Sequence, residues 1–432
     1  MVYFLAHAFT ALFERTRLPD VLLLILVGLL MGPITGFLGP EDFGKVGPVM
    51  TTLTLIAILL ESGTNLSIDV LRRAAGPTLS LTMVTFLATL AAFTVVGMVS
   101  LGLPWLSGLT LGAILAGTSS AVVIPMVKGL KVGEPAGTMM VLESALTDVL
   151  CIVLAFALLQ AHSAGVVEPG RIVGGVLGAL LISSVLGVIG AVAWMAILWN
   201  VQRYPATLAT TFGFALLLYG LGEILGFSGA ITVLAFGVAL ANHEPLRLTR
   251  FSWVHARRSK ITDTERAFHQ ELVFVLKTFF FVYLGLSIRM EQSLLLIALA
   301  GIGLVYLLRL VISRMTLPRT VNWRDATITS IMIPKGLAAA VLAGLPVQAG
   351  MTGGAVIQNF SFLVVLVSIM VTSLMVPATG WRGASPFYRR FFAGFPDPVL
   401  ATPTPVAGTP VPAGAVKANT PGEAMRETTE GS

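Results

Sequence analysis

Charge is the scarcest property of this sequence. Asp, Glu, Lys and Arg make up 11% of its 432 residues, where an ordinary soluble domain carries about 25%. A soluble chain of this length folds as about two or three domains, each with a polar surface. Too few charged side chains are present to cover such surfaces, so soluble enzymes and nucleic-acid binders are excluded. Cysteine is nearly absent. Cys151 stands alone in an apolar run, which excludes a disulfide scaffold and makes a packed thiol the expectation. The five histidines fall near span ends or in loops. No His, Cys and carboxylate cluster has the spacing of a metal enzyme, and no nucleophile has a base in its motif. No cofactor is expected. The glycines at 220, 222 and 226 do not form a GxGxxG fingerprint, so no nucleotide is expected either. The first apolar stretch lacks a basic leader and a small-residue cleavage site, and a removable signal peptide is not expected.

Apolar residues are abundant instead: 56% of the chain, with mean hydropathy +0.90. Runs of membrane-spanning length, cut by Gly, Pro or charge clusters, predict an all-α polytopic membrane protein. Thirteen spans are expected, over 2–13, 20–38, 49–66, 77–101, 106–129, 137–160, 172–198, 206–224, 227–242, 268–288, 293–316, 326–345 and 355–377. The first is short for a bilayer crossing.

The basic residues orient these spans. With the N-terminus outside, sixteen Lys and Arg fall in inner loops, whereas the outer loops hold only Lys45, Arg171 and Arg289. That bias puts the C-terminus in the cytoplasm by the positive-inside rule, and explains the net charge of +6 without an anionic partner. From about residue 385 onward the chain is rich in Pro, Ala, Gly and Thr, which predicts a disordered cytoplasmic tail over 385–432 with no folded domain.

Thirteen spans divide as six, a linker and six. Span 5 carries GTSSAVVIP (Gly117 to Pro125) and span 12 carries IPKGLAAA (Ile333 to Ala340), in matching places of the two halves. Interrupted helices at corresponding positions point to an inverted-repeat transporter whose site lies at the midplane. Gly and Ser could also serve only close helix packing.

Charges inside spans are costly and are therefore paired or functional. Glu143, Asp148, Glu223, Lys277, Arg309 and Lys335 qualify, with Glu61 near one end of span 3. In span 6, VLESALTDVLCIVL, Ser144 and Asp148 are four residues apart and share a face. An Asp with hydroxyl neighbours, opposite an unwound span 5 whose carbonyls around Thr118 to Ser120 are free, supplies hard oxygens for an alkali cation. The same carboxylate can take a proton instead, and that competition is antiport in its simplest form. A purely structural charge network is the competing reading. Arg309 is deep enough to need a carboxylate, and Glu143 is the economical bidentate partner. Lys335, beside Pro334 and Gly336, either neutralises the carbonyl ends of the broken helices or acts as a second proton carrier. Lys277 either snorkels or pairs with Glu223.

These residues resemble the monovalent cation:proton antiporter superfamily, the sodium/proton exchangers. The likeness runs through RLPDVLLLILVGLLMGP, ILLESGTNLSIDVLRR, TSSAVVIP, ESALTDVLCIV, GEILGFSGAITVLAFGVALAN and KTFFFVYLGLSI, and covers about 14 to 378. It implies exchange of Na⁺, or K⁺, for H⁺ across the cell membrane by alternating access, with crossed, broken spans 5 and 12. It implies a homodimer, with dimerisation helices within about 1–66 and 206–288 and a mobile core within about 77–160 and 293–377. It implies that Asp148 binds the ion, that Glu143 and Arg309 form an ion pair, and that Ser144, Glu61 and Thr118 help surround the cation. Thr147 and Ser119 complete the implied cation-binding set, and Lys335 is the crossover charge. Thr147 stands where relatives carry Asn or Asp, Thr118-Ser119-Ser120 replaces the TDP of the electroneutral branch, and Lys335 replaces the more usual Arg. One titrating carboxylate beyond the ion pair implies an electroneutral exchange. A symporter of an organic anion would be repelled by Asp148 and Glu61. A channel should repeat its pore motif and a sensor should carry a soluble domain, and neither feature is present.

Overall fold

The computed structural model describes residues 19–66, 76–163, 169–201, 209–242, 263–378 and 385–397. The span expected over 2–13 lies outside the described residues, as does the tail beyond residue 397. Sixteen α-helices occur among the described residues, and no strand. They are α1 (Asp20–Leu29), α2 (Val46–Asn65), α3 (Pro77–Val99), α4 (Trp105–Leu115), α5 (Ser120–Gly129), α6 (Glu134–Ser163), α7 (Pro169–Val201) and α8 (Thr210–Ile224). Then follow α9 (Gly229–Ala241), α10 (Asp263–Ser287), α11 (Gln292–Thr316), α12 (Trp323–Ile331), α13 (Leu337–Leu342), α14 (Leu345–Gln348), α15 (Gly354–Ala378) and α16 (Ser385–Phe391).

Among the described residues, seven stretches are long and apolar enough to cross a membrane, one of them the α4–α5 pair taken together. The chain is a multi-pass membrane protein. Local chemistry sets the helix ends. Ser228 accepts the N–H of Ile231 and Asn322 that of Asp325, so both side chains satisfy donors the first turn leaves free. Pro33 has no N–H to give and lies in a π turn, Leu30–Ile34, that ends the first helix early.

The helices pack in two groups. In one, α10 lies on α1 and α2, while α9 lies on α2, α7 and α8. Gly63 of α2 faces Gly237 of α9, and a Cβ on either would meet the other helix's backbone, so these axes approach closely. In the other, α3 packs on α4 and α11, α6 on α4 and α5, and α11 on α12 and α15. Where α2 and α10 meet α13–α15, a cavity of about 70 Å³ remains, lined in part by Thr51, Tyr283, Gln348 and Gln358.

Residues 385–397 depart from the expected disordered tail. The stretch folds as α16 and a following turn, because the aromatic run FYRRFFAGF has a protein surface to cover: Tyr388, Phe392 and Phe395 are buried. Composition hid this, since Pro and Gly flank the aromatic run.

Candidate ion-binding site

The site grows from two interruptions that meet. The helix begun by α4 stops at Leu115 and resumes at Ser120, and the helix begun by α12 stops at Ile331 and resumes at Leu337. Backbone groups freed in both gaps must find partners in a membrane interior without water. They find each other: the Ser119 N–H donates to the Pro334 carbonyl at 2.8 Å. Lys335 Nζ reaches across to the Gly117 carbonyl at 2.9 Å, and the Lys335 N–H donates to Ser368 Oγ at 2.8 Å. Lys335 is thus a cation placed on the carbonyl end of α4, where the helix dipole is negative.

Gly336 makes the meeting possible. A Cβ there would overlap the Ser119 side chain and approach its Cα to 3.1 Å. Gly336→Ala should therefore push the two breaks apart, at a cost of about 1–3 kcal/mol for overpacking a filled core. Detergent melting curves check this; an unchanged midpoint would show that the breaks do not need their close approach.

From α6, the Thr147 hydroxyl accepts the Thr118 N–H at 3.1 Å and donates to the Ser144 carbonyl at 3.2 Å. It fastens the unwound stretch to α6 and has no proton left to donate elsewhere. Ser144 Oγ donates to the Val141 carbonyl. One turn on, Asp148 Oδ2 accepts a hydrogen bond from Ser120 Oγ at 2.7 Å. Ser120, the first residue of α5, was absent from the cation-binding set expected from the sequence. Three hydroxyls in a row give no sign of which one turns toward α6; only the phase of α5 decides it. Ser119 Oγ is buried with no partner among the described residues. Glu61 is half-buried and an electrostatic neighbour of both Asp148 and Lys277.

The remaining charges are held apart from Asp148. Glu143 takes a two-pronged hydrogen bond from Arg309, Nη2 to Oε2 at 2.8 Å and Nη1 to Oε1, while Arg309 Nε donates to the Thr329 carbonyl at 2.9 Å. Both side chains are about 1% exposed. Lys277 does not meet Glu223. It lies 3.9 Å from Asp20, and Glu223 accepts the Gly229 N–H at 2.8 Å, capping the start of α9. Glu223 stands in the last turn of its helix, which ends at Ile224 as the expected span does, and the carboxylate turns onto the next helix's free amide. Cys151 is buried and free.

The site thus combines a carboxylate in no ion pair among the described residues with two interrupted, mutually bonded helices. The chain belongs to the sodium/hydrogen exchanger family, whose transmembrane description matches residues 1–382. It is similar to the K⁺/H⁺ antiporter NhaP2 of Shewanella sp. strain ANA-3, 26% identical over 370 residues, covering 83% of this chain and 61% of that protein. It is also similar to the Na⁺/H⁺ antiporter 1 of Methanocaldococcus jannaschii, 25% identical over 313 residues, covering 68% of this chain and 70% of that one. The chain spans about three fifths of the length of the NhaP2 relatives it matches. In fold it resembles the sodium proton antiporter MjNhaP1 from Methanocaldococcus jannaschii at pH 8, with TM-score 0.68 and 21% identity over 86% of this chain and 97% of that one.

Proposed function

We propose that the protein is a secondary antiporter that exchanges a monovalent cation, Na⁺ or K⁺, for protons by alternating access. The observation that carries this reading is the contrast between two buried carboxylates on one helix, about 7.5 Å of helix rise apart at about 1.5 Å per residue. Glu143 is fully engaged by Arg309, whereas Asp148 meets a hydroxyl and no Lys or Arg in ion-pair contact among the described residues. A buried carboxylate without a fixed cation must take a mobile one or a proton. The names of the relatives support both the class of reaction and the choice between the two metals.

In this reading Asp148 carries either ion. Ser120, Ser144, Ser119, Thr118 and Glu61 surround the cation, and Thr147 positions the unwound stretch. The crossed breaks of spans 5 and 12 belong to two six-span halves joined by α7, and the mobile core is α3–α6 with α11–α15. Helices α1, α2 and α8–α10 form a dimerisation scaffold, and the cavity between α2–α10 and α13–α15 is a loosely filled seam along which the core slides. The protein acts in the cell membrane with its C-terminus in the cytoplasm.

Everted vesicles test the function. Na⁺, Li⁺ or K⁺ added to a preformed proton gradient should dissipate it in vesicles holding the protein and not in empty ones. No response to any of the three would sink the antiport reading. Exchange of one cation for one proton moves no net charge, so solid-supported-membrane recordings should show no sustained current. A current removed by Lys335→Gln would make Lys335 a second proton carrier.

A further inference from the structure

The helical face that α16 completes has a chemistry of its own. Residues 310–325 and 385–397 contain five arginines, 314, 319, 324, 389 and 390, against two carboxylates, Asp325, which is buried and accepts from Gly133 and Asn322, and Asp397. Two of them lie on the aromatic residues of this segment: the Arg319 guanidinium is 4.4 Å from the Phe395 ring centroid, and that of Arg314 is 5.5 Å from Phe391. The segment is tied down as well. Tyr388 and Tyr306 share a hydrogen bond between hydroxyls at 2.6 Å, and the Trp323 N–H at the start of α12 donates to the Pro396 carbonyl at 3.0 Å.

Beside this basic corner runs an uncovered apolar stripe. Leu304, Leu307, Val311 and Met315 recur every three or four residues along α11, and all are exposed, Met315 at 78%. In a membrane protein such a stripe faces acyl chains. It ends next to Arg314, whose Nη1 is shut off from solvent and has no hydrogen-bond partner among the described residues. Phe387, 57% exposed, stacks on Phe391 with ring centroids 6.2 Å apart. Arg390 is one residue from Phe391 and exposed. An exposed aromatic ring beside arginines at the end of a lipid-facing stripe marks the level where acyl chains give way to headgroups.

We propose that this corner binds the headgroup of an anionic phospholipid. Arg314 and Arg390 hold the phosphate, whose oxygens suit the planar guanidinium fork, and an anionic lipid brings that phosphate without the quaternary ammonium that arginines repel in phosphatidylcholine. The acyl chains lie along Leu304 to Met315, and Phe387 sits at the boundary. Basic residues at a membrane surface draw anionic lipid in this way. Because Pro396 holds the first turn of α12, a bound lipid also steadies the base of one interrupted helix.

Thermal unfolding of the purified full chain in neutral detergent tests this, with added phosphatidylglycerol, phosphatidylcholine of the same chains, or inorganic phosphate. A ligand that binds only the folded state raises the midpoint in proportion to its occupancy. Phosphatidylglycerol should raise it by several degrees, and the other two should not. Arg314→Gln with Arg390→Gln should lose that rise, while Arg390→Gln alone, an exposed change with little effect on folding, should halve it or more. Arg289→Gln, at the opposite end of α11, should keep it. An equal rise with phosphatidylcholine would overturn the proposal, and so would an undiminished response in the double variant. A rise with inorganic phosphate alone would identify a free-anion site and overturn the lipid assignment.

Discussion

Asp148→Asn should abolish cation-driven dissipation of a proton gradient while the protein still inserts and folds. The substitution keeps the size of the side chain, and the amide oxygen can still accept the Ser120 hydroxyl that now bonds Oδ2 at 2.7 Å. What disappears is the titrating charge. A neutral amide neither releases a proton nor balances a cation in a buried site. Exchange should fall to the background of empty vesicles for Na⁺ and K⁺ alike, with a melting midpoint close to that of the parent. Ser120→Ala sharpens the test, because it removes a hydrogen bond to a charged group, worth about 1.5–3 kcal/mol, and leaves the carboxylate in place. It should raise the half-saturating cation concentration and leave turnover at saturation measurable. If vesicles holding Asp148→Asn still answered a cation pulse, the coupling would run through another group, and Glu61 would be the first to examine.

The parts of this molecule that sequence made legible share a cause. A span of twenty apolar residues, or a charge inside one, is written in one stretch of chain, so the helices from α1 to α15 and the intramembrane carboxylates could be placed without knowing any contact. The gaps at 116–119 and 332–336 were legible for the same reason, since Gly117, Pro334 and Gly336 are local breakers. What stayed hidden depends on which surfaces meet. Lys277 finds Asp20 because α10 packs on α1, and nothing local to Asp20, the first residue of its span, names that partner. Glu223 finds a backbone amide six residues on, because it stands in the last turn of its helix and the next helix begins at Gly229. Thr147 turns to Thr118 and Ser120 turns to Asp148, a choice set by the rotation of α5 about its axis. The aromatic residues of α16 read as part of a disordered tail until α11 and α12 are placed beside them.

Separating Glu143 from Arg309 should be the most damaging single change to stability. The pair is held by two guanidinium–carboxylate bonds and anchored by Arg309 Nε on the Thr329 carbonyl, with both residues about 1% exposed. Removing one partner of a buried pair strands the other charge, at about 3–5 kcal/mol. Arg309→Gln should be the worse of the two, because it strands a carboxylate and also frees a carbonyl in α12. Glu143→Gln leaves a guanidinium that keeps its bond to Thr329. Arg309→Lys should fall between them and the parent: an ammonium restores the charge but cannot span both carboxylate oxygens and the carbonyl at once. The double variant, Glu143→Gln with Arg309→Gln, places two neutral amides face to face and should recover part of the loss in thermal midpoint. That recovery is the signature of direct contact, and strictly additive losses would argue that each residue acts through separate neighbours. Transport separates structure from chemistry in the same series. With Asp148 and Ser120 untouched, the double variant should still exchange ions at temperatures where it remains folded, whereas a pair that carried the proton itself would leave no exchange at any temperature.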